Sequence, residues 1–404
     1  MASAAAPAAG AATTTATGAV SETPKWEKII LLTGGAGFIA SHVVIRLVKN
    51  YPTYKIINFD KLDYCSSLKN IECISKYPNY EFVHGSITSP DLVNYVMAKS
   101  HVDTVLHFAA QTHVDNSFGN SFTFTENNIL GTHVLLEAAK ANSIKLFVHV
   151  STDEVYGEGS DGSAHTEQSK LEPTNPYSAT KAGAEYLVKA YARSFNLPVI
   201  ITRGNNVYGP HQYPEKIIPK FINLMFRGLP LTLHGDGLNT RNFLYVEDVA
   251  AAFDIVLHKG TIGEVYNIGG GPEMPNVEVA RKLLKIFKRD DQEDEFIKYV
   301  VDRPFNDLRY VLNSDKLRAL GWKEEMDFEQ GLTKTVEWYR ENHGNWGDID
   351  SALVAHPRRG HTVKEIQGSA DPEADSNLQD IMAKPAPPSP SMKPAATPSG
   401  AGAG

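Results

Sequence analysis

The sequence predicts an α/β fold in which helices cover both faces of a parallel sheet, with a smaller C-terminal α/β part added to it. Two observations predict this class. Apolar, strand-like runs alternate with helical patterns along the first half of the chain, and a glycine-rich turn follows the first run. The runs occupy residues 28–32, 55–59, 80–84, 104–107, 147–150 and 199–201. Alternating strands and helices favour parallel pairing, because each crossover helix returns the chain to the same edge of the sheet.

The first element pair contains the glycine-rich turn. Its pattern is G-x-x-G-x-x-A, with Gly34, Gly37 and Ala40 at the fixed positions, directly after the strand-like run 28–32. Gly34 permits a tight turn, Gly37 lets the backbone approach a pyrophosphate, and the small Ala40 lets the following helix pack closely on the strand. The free N–H groups at the start of that helix suit phosphate oxygens. The pattern predicts a Rossmann-type dinucleotide site.

The second strand-like run ends at Asp60, where a ligand for the adenosine ribose is expected. A carboxylate there favours NAD over NADP, because it repels a 2′-phosphate, although the neighbouring Lys61 weakens that preference. We therefore predict an NAD-binding Rossmann domain that also holds the catalytic residues over residues 25–202. Residues 203–360 are then mainly the substrate-binding part.

Candidate catalytic groups follow the run 147–150. Asp153 and Glu154 are adjacent carboxylates in the segment S-T-D-E-V-Y-G, at the strand end where parallel sheets bind ligands. The alternative is a capped helix start with a solvated acidic turn. Farther along, Tyr177 and Lys181 are four residues apart and share one face of a helix. We expect the Lys181 ammonium to lower the pKa of the Tyr177 phenol and make it a base near neutral pH, although a surface Tyr–Lys pair is the alternative.

Composition excludes several classes of protein. The 404 residues carry 39 Lys and Arg against 47 Asp and Glu, a formal net charge of −8, which argues against a nucleic-acid-binding surface. No apolar run reaches the roughly 18 residues of a membrane span. Two cysteines, Cys65 and Cys73, are too few for a disulfide framework or a metal cluster. We therefore expect a cytoplasmic protein without metal, membrane or nucleic-acid partners.

Both ends of the chain differ in composition from the middle. Residues 1–24 contain ten Ala, five Thr and no Lys or Arg, and residues 361–404 are rich in Pro and Ala. Neither segment has enough apolar surface to offset the loss of chain entropy on folding, so we expect disordered tails. A transit peptide is the alternative for the first segment, but such peptides are rich in Arg.

Taken together, these motifs resemble the extended short-chain dehydrogenase/reductase family. Within it, S-T-D-E-V-Y-G resembles the nucleotide-sugar 4,6-dehydratases, and the match is closer still to the N-terminal UDP-glucose 4,6-dehydratase half of plant rhamnose synthases. The resemblance covers roughly residues 26–358. The supporting segments are D-K-L-D-Y-C at 60–65, H-F-A-A-Q-T-H-V-D-N-S-F-G-N at 107–120, R-G-N-N-V-Y-G-P at 203–210 and L-H-G-D-G at 233–237.

The resemblance implies a reaction on UDP-glucose. NAD oxidises C4 of the sugar, the C5 proton and the C6 hydroxyl leave as water, and the hydride returns to C6, giving UDP-4-keto-6-deoxyglucose on the way to UDP-rhamnose-type sugars. Tyr177, helped by Lys181, is then the base on the 4-hydroxyl, and Thr152 shares that hydrogen bond. Glu154 takes the C5 proton, and Asp153 donates a proton to the leaving hydroxyl, so Asp153 must be protonated in the active state.

The resemblance also implies binding residues. Those for the cofactor are Gly34, Gly37, Phe38, Ile39, Ala40, Asp60, Lys61, Ser86, Ile87, Ala109, Ala110, Tyr177 and Lys181. Those for the substrate are Gln111, His113, Asn206, Lys216, Arg241, Asn276 and Arg303. Arg241 and Arg303 suit the diphosphate, because the guanidinium fork matches phosphate oxygens. The family further implies a homodimer, with residues 127–139 and 182–195 as candidate interface segments.

The chain departs from the bacterial thymidine-sugar enzymes of this family at two positions. Asn306 stands where they have a His, which agrees with a uridine nucleotide, and Ser86 stands where they have an acid that contacts adenine. The alternatives on the same fold are a dTDP-glucose 4,6-dehydratase, a UDP-sugar 4-epimerase and a glucuronate decarboxylase. The last two keep Tyr177 and Lys181 but have no need for a pair of carboxylates.

Overall fold

The computed structural model describes residues 26–158, 164–301 and 311–354. The predicted tails at 1–24 and 361–404 lie outside the described residues, and so do Arg303 and Asn306. None of the helices in the described ranges is long and apolar enough to span a membrane.

The strands form one large parallel sheet and two small sheets. They are β1 (Lys28–Thr33), β2 (Tyr54–Asp60), β3 (Tyr80–His84), β4 (Thr104–His107), β5 (Leu146–Thr152), β6 (Val199–Gly204), β7 (Asn206–Tyr208), β8 (Leu231–His234), β9 (Thr240–Tyr245), β10 (Val265–Ile268), β11 (Glu273–Pro275) and β12 (Ile297–Val300). Among the described residues the large sheet has seven strands in the order β10-β6-β5-β4-β1-β2-β3, and every neighbouring pair is parallel. The predicted fold class is confirmed.

Helices cover both faces of the large sheet. They are α1 (Phe38–Asn50), α2 (Pro90–Ser100), α3 (Val114–Gly119), α4 (Ser121–Phe124), α5 (Gly131–Ala141), α6 (Pro176–Phe195), α7 (Ile217–Phe226), α8 (Val246–Lys259), α9 (Asn276–Ile286), α10 (Glu293–Phe296), α11 (Asp315–Ala319), α12 (Phe328–Glu341) and α13 (Asp350–Leu353). Successive residues of a strand point to opposite faces. Ile30 and Leu32 of β1 therefore pack in one apolar cluster with α1 and α8, whereas Leu31 packs in another with α2, α5 and α6.

The C-terminal part has an apolar core of its own. Helices α7, α9 and α12 bury Phe221, Leu283 and Leu332 in a third cluster. Strands β7, β9 and β11 form a three-stranded sheet, and β8 pairs with β12. Strand β10 belongs to the C-terminal part of the chain, but it pairs in parallel with β6 at the edge of the large sheet. The C-terminal segment therefore completes the sheet that the N-terminal segment begins.

Candidate active site of the parallel sheet

The glycine-rich turn brings two strands into close contact. Gly34 has a φ of +77°, and its amide nitrogen donates to the carbonyl oxygen of Phe59 at 2.8 Å. A Cβ at this position would lie 2.8 Å from the backbone Cα of Ala109, so only glycine fits the turn. Helix α1 begins after Gly37, and no side chain of the described residues caps it. Its first N–H groups are thus suited to the phosphates of a dinucleotide.

Asp60 connects this turn with the end of β2. The carboxylate is buried, and it accepts hydrogen bonds from the amides of Ala36 at 2.9 Å and Leu62 at 2.7 Å. Burial raises the pKa of Asp60, and these hydrogen bonds oppose that rise. Lys61, whose charge weakens the preference for NAD, forms an ion pair with Asp63 at 2.8 Å. The positive charge that would favour a 2′-phosphate therefore already has an acidic partner.

One cavity of about 460 Å³ contains most of the predicted site. Every predicted site residue that the structure describes lines it except Ser86, whose hydroxyl is 2.8 Å from that of Thr88. The cavity extends from the glycine-rich turn to the C-terminal part, where its walls are residues of β9, α7 and the start of α9. The predicted substrate residues on its wall are Gln111, His113, Asn206, Lys216, Arg241 and Asn276.

The segment S-T-D-E-V-Y-G forms the end of β5 and a short 3₁₀ turn, Asp153–Tyr156. Thr152 caps this turn, because its hydroxyl accepts from the amide of Glu154 at 3.3 Å and donates to the carboxylate of Asp153 at 3.1 Å. The alternative was a capped helix start with a solvated acidic turn. The cap is present, but the turn is not solvated, because Asp153 is buried and Glu154 is partly buried. Both acids line the cavity.

The two neighbouring carboxyl groups have different environments. Burial and, after it, the charge of Glu154 raise the pKa of Asp153, and the hydrogen bond from Thr152 and the charge of Arg241 oppose this rise, so that the pKa of the group is about 7. Its second carboxyl oxygen, Oδ2, is buried and has no hydrogen-bond partner in the described part of the chain. Asp153 therefore carries a proton at neutral pH far more readily than an ordinary aspartate.

Helix α6 places Tyr177 and Lys181 one turn apart, and both side chains are buried on the cavity wall. The Lys181 ammonium donates to the backbone carbonyl of Val150 at 2.7 Å, and burial lowers its pKa to about 8. The expected lowering of the Tyr177 pKa is wrong for this structure, because the pKa is raised. Burial raises the pKa of the phenol, and the charges of Glu154 and Asp153 add to that rise, against a hydrogen bond with Thr152.

Comparison with known proteins identifies the family. The sequence profile of the family described as GDP-mannose 4,6 dehydratase matches residues 31–335. The chain belongs to this family. A trifunctional UDP-glucose 4,6-dehydratase/UDP-4-keto-6-deoxy-D-glucose 3,5-epimerase/UDP-4-keto-L-rhamnose-reductase of Arabidopsis thaliana is 60% identical over 334 residues, which are 82% of this chain and 50% of that protein. The chain thus spans about half the length of this plant relative.

Two further relatives match over nearly their whole length. The human dTDP-D-glucose 4,6-dehydratase is 51% identical over 333 residues, covering 82% of this chain and 95% of the relative. A Streptomyces venezuelae dTDP-glucose 4,6-dehydratase, solved with NAD and TYD bound, is 42% identical with a TM-score of 0.76, covering 79% of this chain and 99% of that chain. Relatives named for UDP-glucose and for dTDP-glucose therefore both match this chain.

The same cavity also contains polar residues that the sequence motifs did not predict. The Glu215 side chain is only 8% exposed and accepts from the hydroxyl of Tyr64 at 3.0 Å, and burial raises its pKa to about 7. Asn175 caps α6 and contacts Glu154. An Asn directly before Pro176 at the start of a helical pattern was a usable signal for a cap, whereas nothing local marks Glu215 as buried.

Asparagine side chains also fix the loop after β4. The π-helical turn Thr125–Leu130 turns Asn127 and Asn128 inward, where both are buried. Asn128 accepts from the backbone amide of Gln111 at 2.8 Å and donates to the hydroxyl of Thr180 in α6 at 3.0 Å. The loop that carries the predicted substrate residue Gln111 is therefore connected directly to the helix that carries Tyr177.

Proposed function

We propose that this protein catalyses the NAD-dependent 4,6-dehydration of UDP-glucose to UDP-4-keto-6-deoxyglucose. The observation that carries the proposal is the pair of carboxyl groups, Asp153 and Glu154, on the wall of the cavity that also contains Tyr177. Removing water requires one group that accepts a proton and one that donates a proton, and neighbouring acids with different pKa values meet that need. A UDP-sugar 4-epimerase or a glucuronate decarboxylase eliminates no water and does not require such a pair.

Asp153 is the proposed acid of the elimination. Its raised pKa of about 7 keeps a large fraction of it protonated near neutral pH, and its buried Oδ2 makes no hydrogen bond within the described ranges. Such a group can donate its proton to the leaving C6 hydroxyl. Glu154 is less buried and accepts a hydrogen bond from Asn175 at 3.0 Å. A hydrogen bond to the charged form favours a carboxylate, which suits removal of the C5 proton.

Tyr177, Thr152 and Lys181 are the proposed groups at C4. The 4-hydroxyl must lose its proton as C4 is oxidised, and the buried Tyr177 phenol, which lies near Thr152, is the proposed acceptor. Lys181 contributes a buried ammonium one helical turn away. When bound, NAD supplies the hydride acceptor and a positive charge that favours phenolate. The turn at Gly34 and the buried Asp60 fit its pyrophosphate and ribose.

The choice of UDP over dTDP rests on the relatives. Identity with the plant UDP-glucose enzyme is 60%, against 51% with the human dTDP-glucose enzyme. A dTDP-glucose 4,6-dehydratase remains the second candidate, because the human relative matches along 95% of its length. Lys216, Arg241 and Asn276 on the cavity wall are proposed to bind the nucleotide, with Arg303 in the same role. The product then belongs to a route toward UDP-rhamnose-type deoxysugars.

The decisive experiment uses the purified chain with UDP-glucose and dTDP-glucose in separate reactions, without added reductant. We expect mass spectrometry to detect loss of one water from UDP-glucose at a higher kcat/KM than from dTDP-glucose. Since the hydride returns to the sugar, no reduced cofactor should accumulate. Preference for dTDP-glucose would overturn the substrate assignment, and absence of dehydration with both sugars would overturn the activity.

We also propose that the enzyme is a cytoplasmic homodimer. Large apolar side chains are exposed on α3, α4 and α6, among them Phe122 at 86% exposure and Tyr186 at 59% exposure. Contiguous exposed apolar patches mark interaction sites on protein surfaces. The patch overlaps the segments 127–139 and 182–195 that the sequence suggested. Both cysteines are free thiols, as expected in a reducing compartment.

A further inference from the structure

Asn175 makes two sets of hydrogen bonds at the start of helix α6. Its side-chain oxygen accepts from the backbone amide of Ser178 at 2.9 Å, while its own backbone amide donates to the Ser178 hydroxyl at 3.2 Å. These two bonds form a capping box. The side-chain nitrogen of Asn175 donates to Oε2 of Glu154 at 3.0 Å. One buried amide therefore contacts both the catalytic helix and the catalytic turn.

The loop that leads to Asn175 packs on the same turn at two other points. The amide of Glu172 donates to the carbonyl oxygen of Val155 at 3.0 Å. Gly157, with a φ of +73°, approaches the loop so closely that a Cβ would lie 2.2 Å from the carbonyl oxygen of Glu172. The loop and the turn are thus held together over several residues, and the Asn175 amide extends these contacts to the Glu154 carboxylate.

We propose that Asn175 is a positioning residue for the elimination step, and that its amide fixes the Glu154 carboxylate relative to Tyr177. Tyr177 follows Asn175 by two residues on the helix that this amide caps. The proton acceptor at C4 and the proton acceptor at C5 are then held by one side chain. This inference rests on the proposed function, because the role of Glu154 as the C5 base belongs to that proposal.

The electrostatic surroundings explain why such a donor matters. Glu154 lies beside the carboxyl group of Asp153 and near the phenol of Tyr177, and its charge acts on both. The charge of Arg241 acts on Asp153 and favours its ionised form. Two neighbouring carboxyl groups disfavour each other's charged form. An amide that donates to Glu154 favours its charged form and leaves the proton on Asp153.

Two substitutions separate capping from positioning. Asn175→Ser keeps an oxygen that can cap α6 but has no amide donor and is too short to reach Glu154. Asn175→Asp keeps the shape and the capping oxygen but replaces the donor by an acceptor and adds a negative charge. Asp327→Ala, which removes the cap of α12 outside the cavity, is the matched control for loss of a cap alone.

The readout is a single turnover in which reduction and reoxidation of the bound cofactor are followed separately by absorbance. For Asn175→Ser we expect normal reduction and reoxidation slowed about tenfold or more, with an acidic limb of the kcat profile moved to higher pH. Asn175→Asp should show the larger effect in both measurements. Melting temperature and NAD affinity should stay close to those of Asp327→Ala, which itself keeps the normal rate of both steps.

Equal slowing of both steps, or an unchanged pH profile in both Asn175 variants, would assign Asn175 to helix capping alone and overturn the inference. Glu154→Gln distinguishes the inference from the proposed function. If Glu154→Gln stops elimination while the Asn175 variants retain it, only the inference fails. If the unmodified enzyme dehydrates neither nucleotide sugar, the proposed function and the inference fail together.

Discussion

At the scale of single residues, the protonation of Asp153 determines the expected pH dependence. Its pKa of about 7 means that the acid form decreases as pH rises through neutrality, so we expect activity to fall along an alkaline limb near that value. Asp153→Asn cannot donate a proton and should lower kcat by about 10²–10⁴-fold and remove the limb. Measurement of kcat from about pH 5 to about pH 9 tests this expectation. If the alkaline limb persists in Asp153→Asn, another group is responsible for it.

The expected effect of Asp153→Asn on stability is opposite to its effect on activity. A carboxyl group whose pKa is raised on folding binds its proton more tightly in the folded state. Stability is therefore lost as pH rises from the unfolded pKa of about 3.9 through the folded pKa of about 7. Asp153→Asn does not titrate, so its melting temperature relative to the unmodified protein should increase between about pH 5 and about pH 8. A constant or shrinking difference would contradict the raised pKa.

The predictions for single residues came from their spacing along the chain, which contains no information on how deeply a side chain is buried. The spacing of Tyr177 and Lys181 predicted one helical face correctly, because helix geometry is local. The direction of the pKa shift of Tyr177 was wrong, because burial by residues distant in sequence raises this pKa and the charges of Glu154 and Asp153 add to the rise. Glu215 was not predicted for the same reason, because its hydrogen-bond partner Tyr64 is 151 residues away in the chain.

At the scale of elements, the turn between β1 and α1 gives the sharpest prediction. Gly34→Ala would place a Cβ 2.8 Å from the backbone of Ala109 at a positive φ of +77°. Neither backbone can move without disturbing β1 or β4, so we expect NAD affinity to fall by at least about tenfold while the fold is retained. Titration of the purified, cofactor-stripped variant by calorimetry measures this change.

Gly263→Ala is the matched control for that substitution. Gly263 also has a positive φ, +90°, but a Cβ there would meet no atom within 4 Å. It should cost only about 1 kcal/mol of stability and leave NAD affinity unchanged. Equal losses of affinity in the two variants would show that conformational strain, and not the close approach to Ala109, explains the effect at Gly34.

The order of elements in the first half was predictable because apolar runs and turn residues are local signals. All six predicted strand-like runs lie within β1 to β6. The ends were less accurate: β5 continues to Thr152, two residues beyond the run that ends at Val150, because it keeps pairing with β6 through Arg203 and Gly204. Such pairing depends on a strand about 50 residues later, which local patterns do not contain.

At the scale of the whole molecule, the sequence indicated two parts but not how they share elements. Strand β10 comes from the segment predicted to bind substrate, yet it extends the dinucleotide-binding sheet next to β6. Its apolar run is short and resembles any buried strand. The cavity is consequently built from both segments, with the glycine-rich turn contributed by one and Arg241 by the other.

The proposed dimer should depend on the exposed apolar patch around α4. Phe122 in α4 is 86% exposed, close to further exposed apolar residues on α3 and α6. Burying such a patch against its symmetry mate would contribute several kcal/mol, and a charge at its centre would oppose association. We expect the unmodified enzyme to elute as a dimer in size-exclusion chromatography with light scattering, and Phe122→Asp to dissociate at least about tenfold more readily.

A matched substitution separates this interface from general surface effects. Tyr95 on α2 is also an aromatic residue with a large exposed fraction, 57%, but it lies outside the proposed interface segments. Tyr95→Asp should leave the dimer intact because it adds the same charge to ordinary solvent-facing surface. Since the described wall of the cavity includes neither residue, both variants should bind NAD normally. A monomeric unmodified enzyme, or a Phe122→Asp variant that stays dimeric, would place the apolar patch outside any self-association interface.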